Sequence, residues 1–220
     1  MQIKTSFFEI IRRLIPYDKK LEFYKNGVDN LYTERMESYR NNSVTASMAS
    51  SIMTQYLVGK GFTGFNNLNL GGENLIDITN DIAESIVNNR GVYVHVNYDA
   101  NLDISDFKVI PFSYCRLGEK DSKDYNGKIL VYKDWSGKVE EENISVVDVY
   151  NDNKQVIAKQ IENARGIENY KGQILFFNMD RKYFYPLSRI NSVYNDCDSE
   201  AQASIYKNEL LRRGFFGKTL

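Results

Sequence analysis

The chain has 220 residues, 42% hydrophobic and 26% charged, with a formal net charge of −1. That is one large domain or two small ones, in proportions ordinary for a globular protein, and a near-neutral balance argues against a surface built to grip phosphates. No apolar run reaches the ~18–20 residues that cross a bilayer, and Cys115 and Cys197, far apart in different types of element, read as free thiols of a reducing compartment.

The first stretch, MQIKTSFFEIIRRLIPYDKK, is apolar but interrupted by Glu9, Arg12 and Arg13. No small-residue cleavage site follows, so a short amphipathic helix ending before Pro16 fits better than a signal peptide. Glu9 and Arg13 stand four apart in the favourable order. Residues 27–40 predict a helix, with Val28, Leu31, Met36 and Tyr39 punctuating a charged face. Residues 43–58 predict a second, in which Val44, Met48, Ile52 and Tyr56 recur every four positions. Ala46, Ser47, Ala49, Ser50 and Ser51 are small and let neighbouring elements approach closely. Gly59 ends this helix by adopting a left-handed conformation. A Gly- and Asn-rich loop covers 61–74, and a helix over 75–89 carries Ile76, Ile78, Ile82 and Ile86, with Gly91 as its stop.

Periodicity then changes to alternation. In GVYVHVNYD, Val92, Val94, Val96 and Tyr98 share one face of a strand. Residues 107–116 predict another, with Pro111 marking an edge or bulge. Asn126-Gly127 and Ser136-Gly137 are turn signals flanking KILVYKDW. Strands follow at 144–150 and 172–178, separated by a polar, helical segment at 152–165. Pro186 is placed as the first residue of a long helix, where a missing N–H is harmless. Its stripe runs through Ile190, Val193, Tyr194, Cys197, Ala201, Ile205 and Leu211. The order predicts an α+β fold: N-terminal helices, a mainly antiparallel sheet region, then a long C-terminal helix. Residues 1–220 are taken as a single region, divided into helices (1–60), loop and helix (61–91), sheet (92–178) and long helix (186–213).

Chemistry is sparse. His95, the single histidine, has no Ser, Cys or metal partner at a recognisable spacing, so it reads as an ordinary strand residue rather than a general base. Asp99, Asn101 and Asp103 mimic the start of a calcium loop, but Ile104 and Ile110 stand where its Gly and closing Glu belong. Gly59-Lys60-Gly61 follows a helix, so it reads as a cap rather than a phosphate loop. Glu140, Glu141 and Glu142 read as a solvated edge. Arg212 and Arg213 suit the negative end of a helix. Tyr183-Phe184-Tyr185 reads as packing rather than base stacking. Asp77, Asp81 and Glu84 fall near one helix face and make two-metal nucleic-acid processing conceivable, although a solvated helix face has the same pattern. No catalytic, cofactor-binding or metal-ligating residue is assigned, and no cofactor is expected.

Three stretches in order carry a resemblance. They are RMESYRNNSVTASMASSIMTQYLVGKGF; VYVHVNYDANLDISDFKVIPFSYCR with KILVYKDW; and GQILFFNMDRKYFYPLSRINSVYNDCDSEAQASIYKNELLRRGFF. A short apolar strand, an aromatic–proline turn and a long helix with a late Asn208 resemble the N-terminal wing portion of tailed-bacteriophage portal proteins. The chain departs from that pattern at Tyr185-Pro186-Leu187-Ser188, which has no glycine after the tyrosine. The resemblance implies a non-enzymatic subunit of a dodecameric ring at the capsid vertex, in the virion and, during assembly, in the host bacterial cytoplasm. Its implied partners are further copies of itself, capsid and scaffold proteins, terminase and head-completion or adaptor proteins. DNA would pass through the channel without sequence-specific binding, and no membrane is involved. It also implies that LRRGFFGKTL is a truncation point, with Phe215 and Phe216 packing on a segment beyond Leu220. Another phage structural or adaptor protein is the alternative within the same class, and the carboxylate enzyme is the alternative outside it.

Overall fold

The structure, a computed structural model, describes residues 16–62, 69, 71–120, 127–137, 139–180 and 184–213. The N-terminal helix, the Asn126 turn position, Tyr183 and the Phe215–Phe216 pair therefore lie outside the described residues. The architecture is α+β: the described residues form five helices and an eight-stranded, mostly antiparallel sheet.

Two short strands, β1 (Tyr17–Asp18) and β2 (Phe23–Tyr24), come first. Residues 27–31 are not helical, because Gly27 and Asn30 take positive φ values of 85° and 65° and turn the chain. Helix α1 begins only at Tyr32 and runs to Asn42. Ser43 both ends α1 and caps α2 (Val44–Val58), accepting from the Ala46 amide at 3.1 Å. Gly59 closes α2 at φ 61°. Helix α3 (Leu75–Asn89) starts in a capping box, the Asn74 amide donating to Asp77 Oδ2 at 3.0 Å. Its left-handed stop is Arg90, at φ 57°, and Gly91 is already the first residue of β3.

Strands β3 (Gly91–Tyr98) and β4 (Ile104–Ile110) form a hairpin. Pro111 does more than mark an edge. It ends β4, and after a 3₁₀ turn at Phe112–Tyr114 the chain enters β5 (Cys115–Lys120) at a distant place in the sheet. Next come β6 (Gly127–Val131), β7 (Ser145–Val149), helix α4 (Lys154–Asn163) and β8 (Gln173–Asn178). The spatial order is β1-β2-β5-β6-β7-β8-β3-β4, and only β7–β8 is parallel, as a strand pair joined through a helix allows.

One face of the sheet closes on itself. Tyr24, Tyr93, Cys115, Ile129, Val147 and Ile174 form one buried cluster, joined by Tyr17 of β1 and Ile110 of β4 at the two sheet edges. His95, Tyr93 and Asn97 share this face, and Tyr93 is fully buried against Phe112 and Phe176. The opposite face carries Val92, Val94, Val96 and Tyr98, covered by Ile82 and Ile86 of α3 and Ile157 and Ile161 of α4. Tyr185 locks the inner core. Its hydroxyl donates to the Tyr24 carbonyl at 2.6 Å and accepts from the Leu117 amide at 2.7 Å. Tyr185→Phe leaves both backbone groups without that partner, and a loss of about 2 kcal/mol is expected in urea unfolding.

A second lock is Arg116, whose side chain is fully buried. Its Nε donates to Asn30 Oδ1 at 2.7 Å. Nη1 donates to the Ser113 and Cys115 carbonyls at 2.7 and 3.0 Å, and Nη2 to the Asn30 carbonyl at 2.6 Å and Glu34 Oε1 at 2.9 Å. All five donors are satisfied, and the guanidinium sits 4.9 Å from the Trp135 ring centre.

The C-terminal helix is present but shorter than expected. Pro186 is buried in an extended segment, a 3₁₀ turn spans Arg189–Ser192, and α5 runs Tyr194–Arg212. Ser188 explains the delay. Its hydroxyl donates to the Asn88 carbonyl at 2.6 Å, and its amide donates to the Tyr32 hydroxyl at 3.1 Å. These bonds hold the chain against α1 and α3 before it is free to coil.

Candidate interaction surface

The chemical candidates do not converge. His95 Nε2 is bound to the Lys171 carbonyl at 2.6 Å. Asp99 Oδ1 accepts from the Asn101 and Asp103 amides at 2.8 and 3.0 Å, shaping the β3–β4 turn. Asp103 pairs with Lys154 at 2.7 Å. Asp77 is engaged in the α3 cap, and Asp81 and Glu84 are exposed. Glu141 and Glu142 lie in a 3₁₀ turn after Glu140. Arg213 reaches Glu209 at 3.8 Å. Among the described residues no group of three or more His, Cys, Asp or Glu side chains is placed to hold a metal ion, and no helix is long and apolar enough to cross a membrane. Both thiols are free and buried, and burial pushes the Cys115 thiol well above its usual range. Phe184 and Tyr185 pack against Tyr24 and each other.

The unusual feature is α2. Its fifteen residues include no Asp, Glu, Lys or Arg. A helix this neutral is ordinarily enclosed, yet Ala46 is its only buried residue. The stripe that recurs every four residues points outward: Val44 is 67% exposed, Met48 60%, Ile52 62% and Tyr56 88%. Of the small residues, Ala46 is buried and Ser50 half-buried, while Ser47, Ala49 and Ser51 stay exposed. Ser50 Oγ donates to Asn88 Oδ1 on α3, and Ala46 and Ala49 line the gap toward α5. The small row lets α2 settle closely on its neighbours, which leaves the large row no place but outside. Met53, Leu57 and Phe62 extend the exposed apolar area. Patches of this kind on a folded chain mark contact surfaces.

Beside the stripe is a mostly apolar groove of about 650 Å³ between α2 and α5, with Met53, Val87, Ile190, Val193 and Cys197 in its lining. Its floor is fixed by the Ser188–Asn88 bond and by Tyr32, whose hydroxyl donates to Asn191 Oδ1 at 3.1 Å. Helix α5 is pinned at one end only. Tyr194 packs on Tyr39 of α1, with ring centres 5.7 Å apart, and Cys197 is its one buried residue. Glu200 accepts from Ser43 Oγ and from the Thr45 hydroxyl and amide, the latter two at 3.1 and 3.3 Å. A carboxylate at the N-terminus of α2 also suits the helix dipole.

The Ser43 hydrogen bond, aided by Thr45, holds Glu200 below its usual value of 4.5. A carboxylate lowered by folding stabilises the fold above its unfolded pKa, and that contribution fades as pH falls through the lowered folded value. Weakening of the Glu200 contacts to Ser43 and Thr45 is therefore expected only on the acid side of 4.5. The Thr45 amide resonance, followed by NMR through an acid titration, reports it. Glu200→Gln keeps an acceptor oxygen but is expected to abolish the pH dependence.

Sequence reasoning found the α2 stripe but assigned it no direction. The available signal was the combination of a charge-free helix with a row of small residues, which offers two faces able to pack. The Arg116 network was not foreseen, because a lone Arg inside an alternating stretch has no periodic signature. No family model matches this chain, and no curated protein matches it either.

Proposed function

We propose that the protein is a structural subunit of a tailed-phage portal ring, the wing portion of the conduit through which DNA enters and leaves the capsid. The outward α2 stripe carries this reading. A large, uncharged apolar helix face is what a subunit presents to a neighbour. The three resembling stretches and the α+β order support it as well. In this role the chain catalyses nothing. It meets further copies of itself, the capsid shell and its scaffold, with terminase and head-completion proteins docking on the finished ring, and DNA passes without sequence-specific contacts. The location is the capsid vertex, and the host bacterial cytoplasm during assembly. The near-neutral charge is compatible with a wing that does not grip phosphates.

The test is negative-stain electron microscopy of the product of the undisturbed gene, with intact mass measured on the same sample. Rings with a central channel are expected. Particles without a channel at any concentration would reject the portal reading and favour an adaptor.

A further inference from the structure

Besides the exposed row Leu175, Phe177 and Met179 at β8, two helical apolar surfaces of different kinds stay open among the described residues. One is the α2 stripe. The other is the distal part of α5, where residues 202–213 are all exposed, including Ile205, Tyr206, Leu210 and Leu211. Isolated helices shorter than roughly 12–15 residues are marginal in water, so about three turns of α5 that bury nothing in their own chain call for a surface to lie on.

Charge points the same way. Lys207, Arg212 and Arg213 outnumber Glu209 on that part of α5. Helix α3, against which α2 packs, exposes Asp77, Asp81 and Glu84. Partial desolvation and the negative neighbours Glu73, Glu84 and Asp77 raise the Asp81 carboxyl, with Lys108 opposing. The acidic face is thus short of cations, and the α5 end has a surplus.

We propose that the distal half of α5 from one copy of this chain docks across α2 of the next copy. Ile205, Tyr206 and Leu210 meet the Val44–Met48–Ile52–Tyr56 stripe, and the Lys207–Arg213 end reaches the acidic face of α3. The inference rests on the reading of the chain as a self-assembling subunit and names the contact. A standard interface covers about 800 Å² per partner, and Val44, Met48, Ile52 and Tyr56, each more than half exposed, supply the apolar centre of one. The two surfaces differ, so the contact is head-to-tail and repeats from subunit to subunit, closing into a ring where the rotation per subunit divides a full turn. A two-fold contact of α2 on α2 would leave α5 uncovered. The absence of charge on α2 means that the incoming helix meets no repulsion along the stripe, and the rim pairs set its direction.

Met48→Cys and Leu210→Cys are made in separate full-length chains, each with a distinguishing tag, then mixed and oxidised. A disulfide-linked dimer containing both variants is expected, at several-fold higher yield than either variant forms alone. Met48→Cys dimers in the unmixed sample at equal or higher yield would overturn the proposal in favour of a two-fold contact. A second measurement is sedimentation of Lys207→Glu/Arg212→Glu, whose self-association is expected to weaken about tenfold and to recover on mixing with Asp81→Lys/Glu84→Lys. No weakening, no recovery, or a wild-type chain that is monomeric throughout would also overturn it. The outcomes separate from those of the portal reading. Rings that fail to cross-link sink this contact alone, and head-to-tail oligomers without a channel sink the portal alone.

Discussion

Replacing Arg116 with methionine is expected to lower the unfolding free energy by about 3–5 kcal/mol. Methionine fills most of the space but supplies no donor. The carbonyls of Asn30, Ser113 and Cys115 and the Asn30 side chain each lose a bond of 2.6–3.0 Å. The Asn30 side chain keeps its bond from the Asn26 amide, so the cost falls on the three carbonyls, each near the lower end of about 1–3 kcal/mol. The ion pair with Glu34 contributes less, because Glu34 is about a third exposed and water partly compensates it. Two further variants separate these contributions. Arg116→Lys keeps the charge but lacks the planar fork that reaches both sides, so it is expected to recover less than half of the loss. Glu34→Gln keeps the Oε1 acceptor and is expected to change stability by less than about 1 kcal/mol. Urea unfolding at constant m-value measures all three.

Gly172→Ala is expected to cost about 2–4 kcal/mol. Gly172 has φ 73°, a left-handed conformation that side chains adopt at a penalty. The added methyl would lie 2.4 Å from the Val96 carbonyl oxygen, 2.5 Å from Asn97 Oδ1 and 3.0 Å from His95 Nε2. The first of these is strand backbone with partners on both sides, so it has little room to withdraw. Relief would come from moving β8 away from β3. Gly137→Ala is the control. Nothing lies within 4 Å of its added carbon, and stability is expected to stay within about 0.5 kcal/mol.

Local rules set much of the fold, and the failures have physical causes. Helix α3 was legible over 75–89 because the isoleucines repeat at helical spacing, whereas the Asn74–Asp77 capping box that fixes its start was not read. The β3 valines were legible because they alternate over a helix-covered face. Pro186 misled because its fixed φ suits a helix start, whereas Ser188, two residues on, is bonded to Asn88 and Tyr32 and delays coiling to Tyr194. Arg90 took the left-handed stop expected of Gly91, leaving the glycine for a crowded strand position where Phe177, Pro186 and Phe112 approach. The interaction surface was half legible. Spacing identifies a stripe on α2, but periodicity carries no sign, and which face turns inward depends on Ser50 finding Asn88 across a close helix pair.

The strand order sets a timetable for synthesis. The β3–β4 hairpin is made before β5, yet among the described residues it joins the rest of the sheet only through β8, the last of the eight strands in sequence. At about 5–20 residues per second, the stretch from Tyr98 to Gln173 occupies roughly 4–15 s on the ribosome. During that interval Tyr93, Val94 and His95 have one strand edge paired with β4 and the other open. Nascent chains stalled before Gln173 therefore display two unfinished sheet pieces, and release of β8 joins them in one step.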